Sequence, residues 1–272
     1  MKNIYMRFPG GLSKALTLSY DDGVREDYRL IEIMRKHGLR GTFNINSGLY
    51  GPDDRSGHRL SKEECRELYS QEGIEAAIHG TLHPSWNSQE EFSTLYDIMN
   101  DRLELEKLFE KPIYGGAYPN GAVSDRVVDQ LRACGIKYCR TTVATERMYL
   151  PDNWLRLNPT CHHNHPRLME LANGFLNSKH PNESRMFYLW GHSYEFPRDN
   201  NWNVIEEFAE LMGAAESIWH ATNTEIYDYT KAFKALQFTL NSDCVYNPTA
   251  IELWFKAGSE IYSVKPGERL KI

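Results

Sequence analysis

The sequence predicts an α/β chain built from repeated parallel βα units, and three observations carry that expectation. Short apolar runs alternate with longer amphipathic segments, glycines and prolines punctuate the joins, and the alternation continues for about seven units, which is a barrel count.

Each element has its own signal. Ala15-Leu16-Thr17-Leu18 reads as a strand that runs into the adjacent carboxylates Asp21-Asp22. Residues 25–36 place Tyr28, Ile31 and Met34 on one helical face, and His37-Gly38 supplies a glycine stop. Gly41-Thr42-Phe43-Asn44-Ile45 is a second strand. Ser61 with Glu64 three positions on is a capping box opening a helix toward Tyr69, and Ile74-Glu75-Ala76-Ala77-Ile78 follows as a third strand with His79 at its exit. Residues 91–110 carry Phe92, Leu95, Ile98, Met99, Leu103 and Leu105 as a long helix; 113–118 is strand-like up to Pro119; 124–134 is a helix closed by Gly135. Strands are expected at 136–142, 154–160, 186–190 and 217–221, with helices at 166–176, 202–212 and 225–236. Beyond Leu236 the texture turns β-rich, with Asn-Pro and Lys-Pro-Gly turns between short apolar runs. The expected organisation is a barrel over 1–236 and a β-rich extension, 237–272, too short for its own core and packed on the barrel.

Composition bounds the function. At 272 residues, with 41% hydrophobic and 12% aromatic content, the chain has material for a large core, and disorder is excluded. Its 31 basic and 37 acidic residues give a net charge of -6, and no Lys/Arg cluster tracks a phosphate backbone, so nucleic acid is excluded as a partner. The N-terminal segment is too broken for a signal peptide, and no stretch approaches a membrane span. As written, the protein reads as soluble and cytoplasmic; a chain trimmed of its leader would read the same. Five cysteines without a CxxC spacing indicate neither a disulfide framework nor a thiolate zinc site. Nothing in the sequence sets the oligomeric state.

The chemistry-bearing residues sit at predicted strand ends. Asp22 offers a carboxylate there, and His79 and His83 stand four apart, on one face if their loop makes a helical turn. Two imidazoles and one carboxylate would hold a divalent metal and leave room for water. Asp21, across the same turn, is then free to act as a base. The same residues also read as ordinary loop histidines, a turn aspartate before Gly23, and a helix N-cap. His192 suits proton transfer near neutrality, or a hydrogen-bonded place on a barrel rim. In Cys161-His162-His163-Asn164-His165, adjacent strand residues face opposite sides, so at most one of His162 and His163 is expected to face a site, and a polar loop is favoured over a second metal site.

These residues resemble the polysaccharide deacetylases with the NodB-homology domain, carbohydrate esterase family 4. Ser19-Tyr20-Asp21-Asp22-Gly23 is similar to that family's first motif, which implies Asp21 as catalytic base and Asp22 as metal ligand. His79-Gly80-Thr81-Leu82-His83-Pro84 is similar to the second and implies two metal-binding histidines. Ala117-Tyr118-Pro119-Asn120-Gly121 stands where the third motif would, with Asn120 in place of an aromatic and no arginine before it. The resemblance implies a backbone amide at Asn120 for the oxyanion. Arg140, at the end of the following strand, is the candidate for the missing guanidinium, because arginine pairs with a carboxylate in a fork geometry that tolerates origin from a neighbouring strand. Asp152-Asn153-Trp154 resembles the fourth motif and Leu189-Trp190-Gly191-His192 the fifth, implying His192 as general acid. Tyr118, Pro119, Trp154, His162 and Trp190 are the expected substrate contacts. The resemblance spans about residues 15–222 and implies a distorted, NodB-like (β/α) barrel of about seven strands. It also implies a divalent metal, zinc before cobalt or nickel, and an acetylated carbohydrate as partner. Two other functions stay open: hydrolysis of C–N bonds in a small non-sugar amide, and a catalytically weakened carbohydrate-binding module.

Overall fold

The computed structural model describes residues 2–51 and 58–272. Its central strand, β2 (Lys14–Asp21), is longer than the apolar run that predicts it, and all of its residues are buried. The preceding strand is β1 (Ile4–Arg7), and the others in the first half are β3 (Gly41–Ile45), β4 (Ile74–Ile78), β5 (Gly115–Ala117) and β6 (Tyr138–Arg140). Helices α1 (Asp27–Lys36), α2 (Lys62–Tyr69), α3 (Glu91–Phe109) and α4 (Asp125–Ala133) connect them. The second half contributes β7 (Cys161–His162), α5 (Leu168–Asn177), β8 (Arg185–Gly191), α6 (Glu195–Asp199), α7 (Trp202–Gly213), β9 (Ile218–His220) and α8 (Asn223–Lys234). Short strands β10 (Gln237–Phe238), β11 (Cys244–Tyr246), β12 (Leu253–Ala257), β13 (Glu260–Val264) and β14 (Arg269–Lys271) close the chain.

The main sheet is eight-stranded, in the order β6-β5-β4-β3-β2-β8-β7, with β9 also against β2. β2 pairs in parallel with β8 from Lys14 to Tyr20, with β9 over Lys14–Leu16 and with β3 over Leu18–Asp21. In β2, Leu16, Leu18 and Tyr20 alternate with Thr17, Ser19 and Asp21, yet both faces are buried, and the polar side finds partners, Thr17 in Asn223 and Ser19 in Asn44. Between β6 and β7 no ladder forms among the described residues; the isolated parallel bridge Arg140–Leu157 stands there instead. The expected barrel is therefore a curled half-barrel, with its parallel strands all delivering their carboxyl ends to one rim.

Local chemistry explains the helices. Ser61 and Glu64 form both arms of the capping box at α2, and Thr222 and Glu225 repeat it at α8. In α1 the buried face is Leu30, Ile31, Ile33 and Met34, while Tyr28, expected on it, is exposed. In α3 the inner stripe is Thr94, Ile98, Asp101, Leu105 and Leu108, and Phe92, Met99 and Leu103 face outward. A buried aspartate within that stripe needs polar partners, and it finds them at the rim described below.

Two expectations of strand structure are corrected. Residues 154–160 are not a strand: Asn153 caps a 3₁₀ turn over Trp154–Arg156, and Pro159 has no N–H to give a ladder, so β7 begins only at Cys161. The N-terminal segment, read only as too broken for a leader, forms β1 and pairs antiparallel with β12, giving a sheet β1-β12-β13. Tyr229 of α8 fastens that sheet to the half-barrel, its hydroxyl donating to the Arg7 carbonyl at 2.7 Å and accepting from the Trp254 N–H at 2.9 Å.

Candidate active site

Asp21 ends β2 in register with Asn44 of β3, and its side chain is almost wholly buried. Asn44 Nδ2 donates to Asp21 Oδ1 at 2.8 Å, and Arg140 Nη2, arriving from the end of β6, donates to Oδ2. His79 Nε2 and His192 Nε2 stand 3.6 and 3.8 Å from the same Oδ2. Burial pushes the Asp21 carboxyl up, but the guanidinium of Arg140 and the two imidazoles outweigh it and hold the pKa well below the usual carboxylate range. Asp21 is thus an ionised carboxylate in a dry place.

Asp22 takes a left-handed backbone, φ 88, rare for a residue with a Cβ and costing on the order of 1–3 kcal/mol. Its N–H donates to the Asn44 carbonyl at 2.9 Å, and its carboxylate stands 3.9 Å from His83 Nε2 and 3.3 Å from Arg59 Nη2. The two carboxylates point different ways, Asp21 toward Arg140 and Asp22 toward His83 and Arg59.

His79 follows β4 directly. Two oxygens of Asp101 accept from the backbone N–H groups of Ser47 and His79, both at 2.9 Å, which accounts for the aspartate inside the α3 stripe. The ring Nδ1 of His79 lies 2.9 Å from the Ala117 carbonyl, so Nδ1 carries the proton and Nε2 keeps a free lone pair. The expected helical turn between the histidines does not form. Gly80 at φ 74 and His83 at φ 54 make a tighter reversal, which brings the two rings to 4.8 Å between centroids. A Cβ on Gly80 would come within 2.9 Å of Pro84 and 3.1 Å of Pro119, so only glycine fits. Asp22, His79 and His83 form a group whose ligand atoms all lie within 4.8 Å of one another. Their donor set, with the His79 tautomer already fixed, fits a divalent cation.

His192 leaves β8 opposite them. Burial pulls its pKa down, but the carboxylates of Glu195, Asp21 and Asp22 outweigh burial and leave it above the ordinary value. Trp190 lies two residues earlier, with the Arg140 guanidinium 4.3 Å from its ring and His162 edge-on at 4.7 Å. Asn120 is exposed, at φ 57, in the turn after Pro119. A cleft of about 560 Å³ opens beside the aspartates, lined among others by Asp22, Arg59, Tyr194, Pro197 and Arg198.

Several expected substrate contacts are placed elsewhere. Tyr118 is buried, its hydroxyl donating to the Leu155 carbonyl at 2.6 Å, and Pro119 is buried against Gly80; both shape the loop and offer no surface. Trp154 is 5% exposed within the apolar cluster beneath the C-terminal strands, edge-on to Tyr227 at 5.2 Å, so the fourth motif does not reach the rim. His162 does reach it. The expectation that His162 and His163 face opposite ways is corrected: β7 ends at His162, alternation stops there, and both Nε2 atoms approach Glu195 Oε2, at 3.0 and 3.2 Å. Glu195, Asn44, Asp101 and Arg59 were missed. Asn44 stands beside Asp21 only through strand register, and Glu195, three residues after His192, has a sequence signal too short to mean anything alone.

A curled parallel sheet with an Asp/His/His group and a buried Asp–Arg pair at its carboxyl rim defines an α/β half-barrel with a candidate cation site. Residues 10–139 match the family model described as polysaccharide deacetylase, the family that the chain's first two motifs resemble. Among solved structures it is similar to a putative polysaccharide deacetylase from Mycobacterium smegmatis, at 16% identity and TM-score 0.60, covering 87% of this chain and 96% of that one. It is similar also to a family 4 carbohydrate esterase from Streptomyces lividans in complex with acetate, at 12% identity and TM-score 0.52, covering 76% and 92%. A mutant of the peptidoglycan deacetylase PdaC from Bacillus subtilis gives 13% identity, TM-score 0.52, and coverage of 82% and 94%. At these identities the likeness is one of fold. No curated protein matches the chain. Among the described residues, no helix is long and apolar enough to cross a membrane.

Proposed function

We propose that this protein is a metal-dependent hydrolase that removes N- or O-acetyl groups from a carbohydrate. The observation that carries the reading is the sharing of one buried carboxylate oxygen, Asp21 Oδ2, among Arg140, His79 and His192, next to the Asp22-His79-His83 group. That arrangement supplies a base, an acid and a cation site within one small volume.

A divalent cation held by Asp22, His79 and His83, with zinc favoured and cobalt or nickel acceptable to the same donors, supplies Lewis acidity and lowers the pKa of water from 15.7 to about 7. Asp21 accepts the proton of the attacking water, and Arg140 and Asn44 fix the plane of its carboxylate. The backbone N–H of Asn120 donates to the developing oxyanion, a contribution of roughly 3 kcal/mol for one such donor. His192, whose protonated form the surrounding carboxylates favour, hands its proton to the departing amine or alcohol. Acetate and the free sugar leave. The sugar ring lies in the cleft against Tyr194 and Pro197.

The test is acetate release from N-acetylated glucosamine oligomers. Wild-type protein loaded with zinc releases acetate, and Asp21→Asn loses it while keeping its metal. Normal turnover by Asp21→Asn removes the assignment, and hydrolysis of cyclic amides without acetate release redirects the reading to small C–N substrates.

A further inference from the structure

His162, His163 and Glu195 form a second group of ligand atoms, all within 4.8 Å of one another and separate from the Asp22 group. We propose that it is a second cation site, suited to zinc or a similar borderline divalent ion.

The argument rests on orphaned atoms. His163 is 0% exposed, and neither of its ring nitrogens has a hydrogen-bond partner. Glu195 Oε2 is likewise buried without one. Yet His162 Nε2 and His163 Nε2 approach that oxygen to 3.0 and 3.2 Å. The two imidazole nitrogens and the carboxylate oxygen thus converge on one small volume. Ligands on a tetrahedral ion with bond lengths of about 2.0–2.1 Å lie about 3.3 Å apart, close to the 3.0 and 3.2 Å of the two histidine–glutamate pairs. An unpaired buried polar group is costly, and one ion satisfies these three atoms together.

The surroundings are arranged for the same end. Gly191 makes room for the inner ring: a Cβ there would lie 2.0 Å from His163 Nδ1. Tyr20 and Phe196 both stack against His163, at 5.7 and 4.2 Å between centroids, and limit its freedom to turn. The other Glu195 oxygen, Oε1, stands 3.6 Å from both His192 Nδ1 and Arg198 Nη2. Two imidazoles and one carboxylate leave one position of a tetrahedron for water. One contact opposes the arrangement: the exposed Asn164 N–H donates to His162 Nδ1 at 3.1 Å. That bond puts the proton of a neutral His162 on Nε2, so ion binding requires it to move to Nδ1 and the Asn164 N–H to turn to solvent.

This inference does not depend on the deacetylase reading. The experiment is a zinc titration of chelator-stripped protein, with bound metal counted by elemental analysis and folding followed by circular dichroism. The doubly substituted Asp22→Ala/His83→Ala protein binds one equivalent of zinc. Adding either His162→Ala or the isosteric Glu195→Gln removes that equivalent while the folded signal persists. No zinc on the Asp22→Ala/His83→Ala protein overturns the proposal, as does an equivalent that survives both added substitutions; Glu195 is then a plain hydrogen-bond hub for three imidazoles. If the Asp22 group holds no metal, wild type binds a single equivalent that only the His162 and Glu195 substitutions remove, which separates the failure of one site from that of the other.

Discussion

Two histidine clusters face each other across the same rim, and they are held in opposite ways. In the cluster of Asp22, His79 and His83, second partners fix the ligands: Ala117 takes the Nδ1 proton of His79, Asp101 takes its backbone N–H, and Arg59 braces Asp22. In the cluster of His162, His163 and Glu195, aromatic walls hold the buried ring, and its polar atoms are left without partners. The first is poised by hydrogen bonds and legible as motifs; the second is poised by packing and closes only in three dimensions. Outer-shell hydrogen bonds fix tautomer as well as position, so the first cluster presents a prepared donor set, whereas the second must shift a proton before it can bind.

The largest effect that sharpens this contrast is at Asp21, between the clusters. Asp21→Asn lowers the rate of acetate release by roughly 10²–10⁴-fold, the usual contribution of a positioned base, without changing the metal content of either cluster. A loss confined to KM would place Asp21 in binding. Next comes Arg140→Met, which leaves the Asp21 charge buried without its main partner. Removing one member of such a pair costs about 3–5 kcal/mol, readable as a fall in the denaturation midpoint. The double variant Asp21→Asn/Arg140→Met recovers much of that stability, and an additive double variant would show that the pair is not coupled.

A smaller effect lies behind both clusters. Burial raises the Asp27 carboxyl to about 7, against the hydrogen bonds it receives from Ser193, Tyr69 and the Val24 N–H. A folded pKa above the unfolded value of about 3.9 favours the protonated form in the folded chain. The resulting stability is fully present below pH of about 3.9 and is lost as pH rises through about 7, on the order of a few kcal/mol. Denaturant unfolding at pH 5 and pH 8 measures it. Asp27→Asn flattens that slope, and an unchanged slope would show that Asp27 does not titrate in this range. The smallest effect is at Trp154→Phe, within about twofold in acetate release, because its indole packs on Tyr227 away from the rim. A tenfold loss there would put the fourth motif back into the site.

The difference between the clusters also marks what the sequence discloses. Strands β2, β3 and β4 and the capping box of α2 follow from period and cap chemistry, and the residues at their ends, Asp21, Asp22 and His79, come with them. His83 stands beside His79 through left-handed residues and not through the expected helical turn, a closure that residue spacing does not disclose. Arg140 could be named because the third motif lacks its arginine and a guanidinium pairs with a carboxylate in a fork that tolerates origin from a neighbouring strand. Asn44, Asp101 and Glu195 could not, because register, helix facing and a three-residue spacing each acquire meaning only when the sheet has curled. Trp154 shows the reverse error: a motif-like tripeptide whose aromatic is consumed by the core.

The central claim is that hydrolysis depends on a cation at Asp22, His79 and His83 and on Asp21 beside it. The most direct measurement is acetate release from an N-acetylated glucosamine oligomer by the same protein before chelation, after chelation, and after zinc is restored. The account predicts activity, its loss, and its return, with no return in His83→Ala. Undiminished acetate release from the stripped protein, or full recovery in His83→Ala, would contradict it.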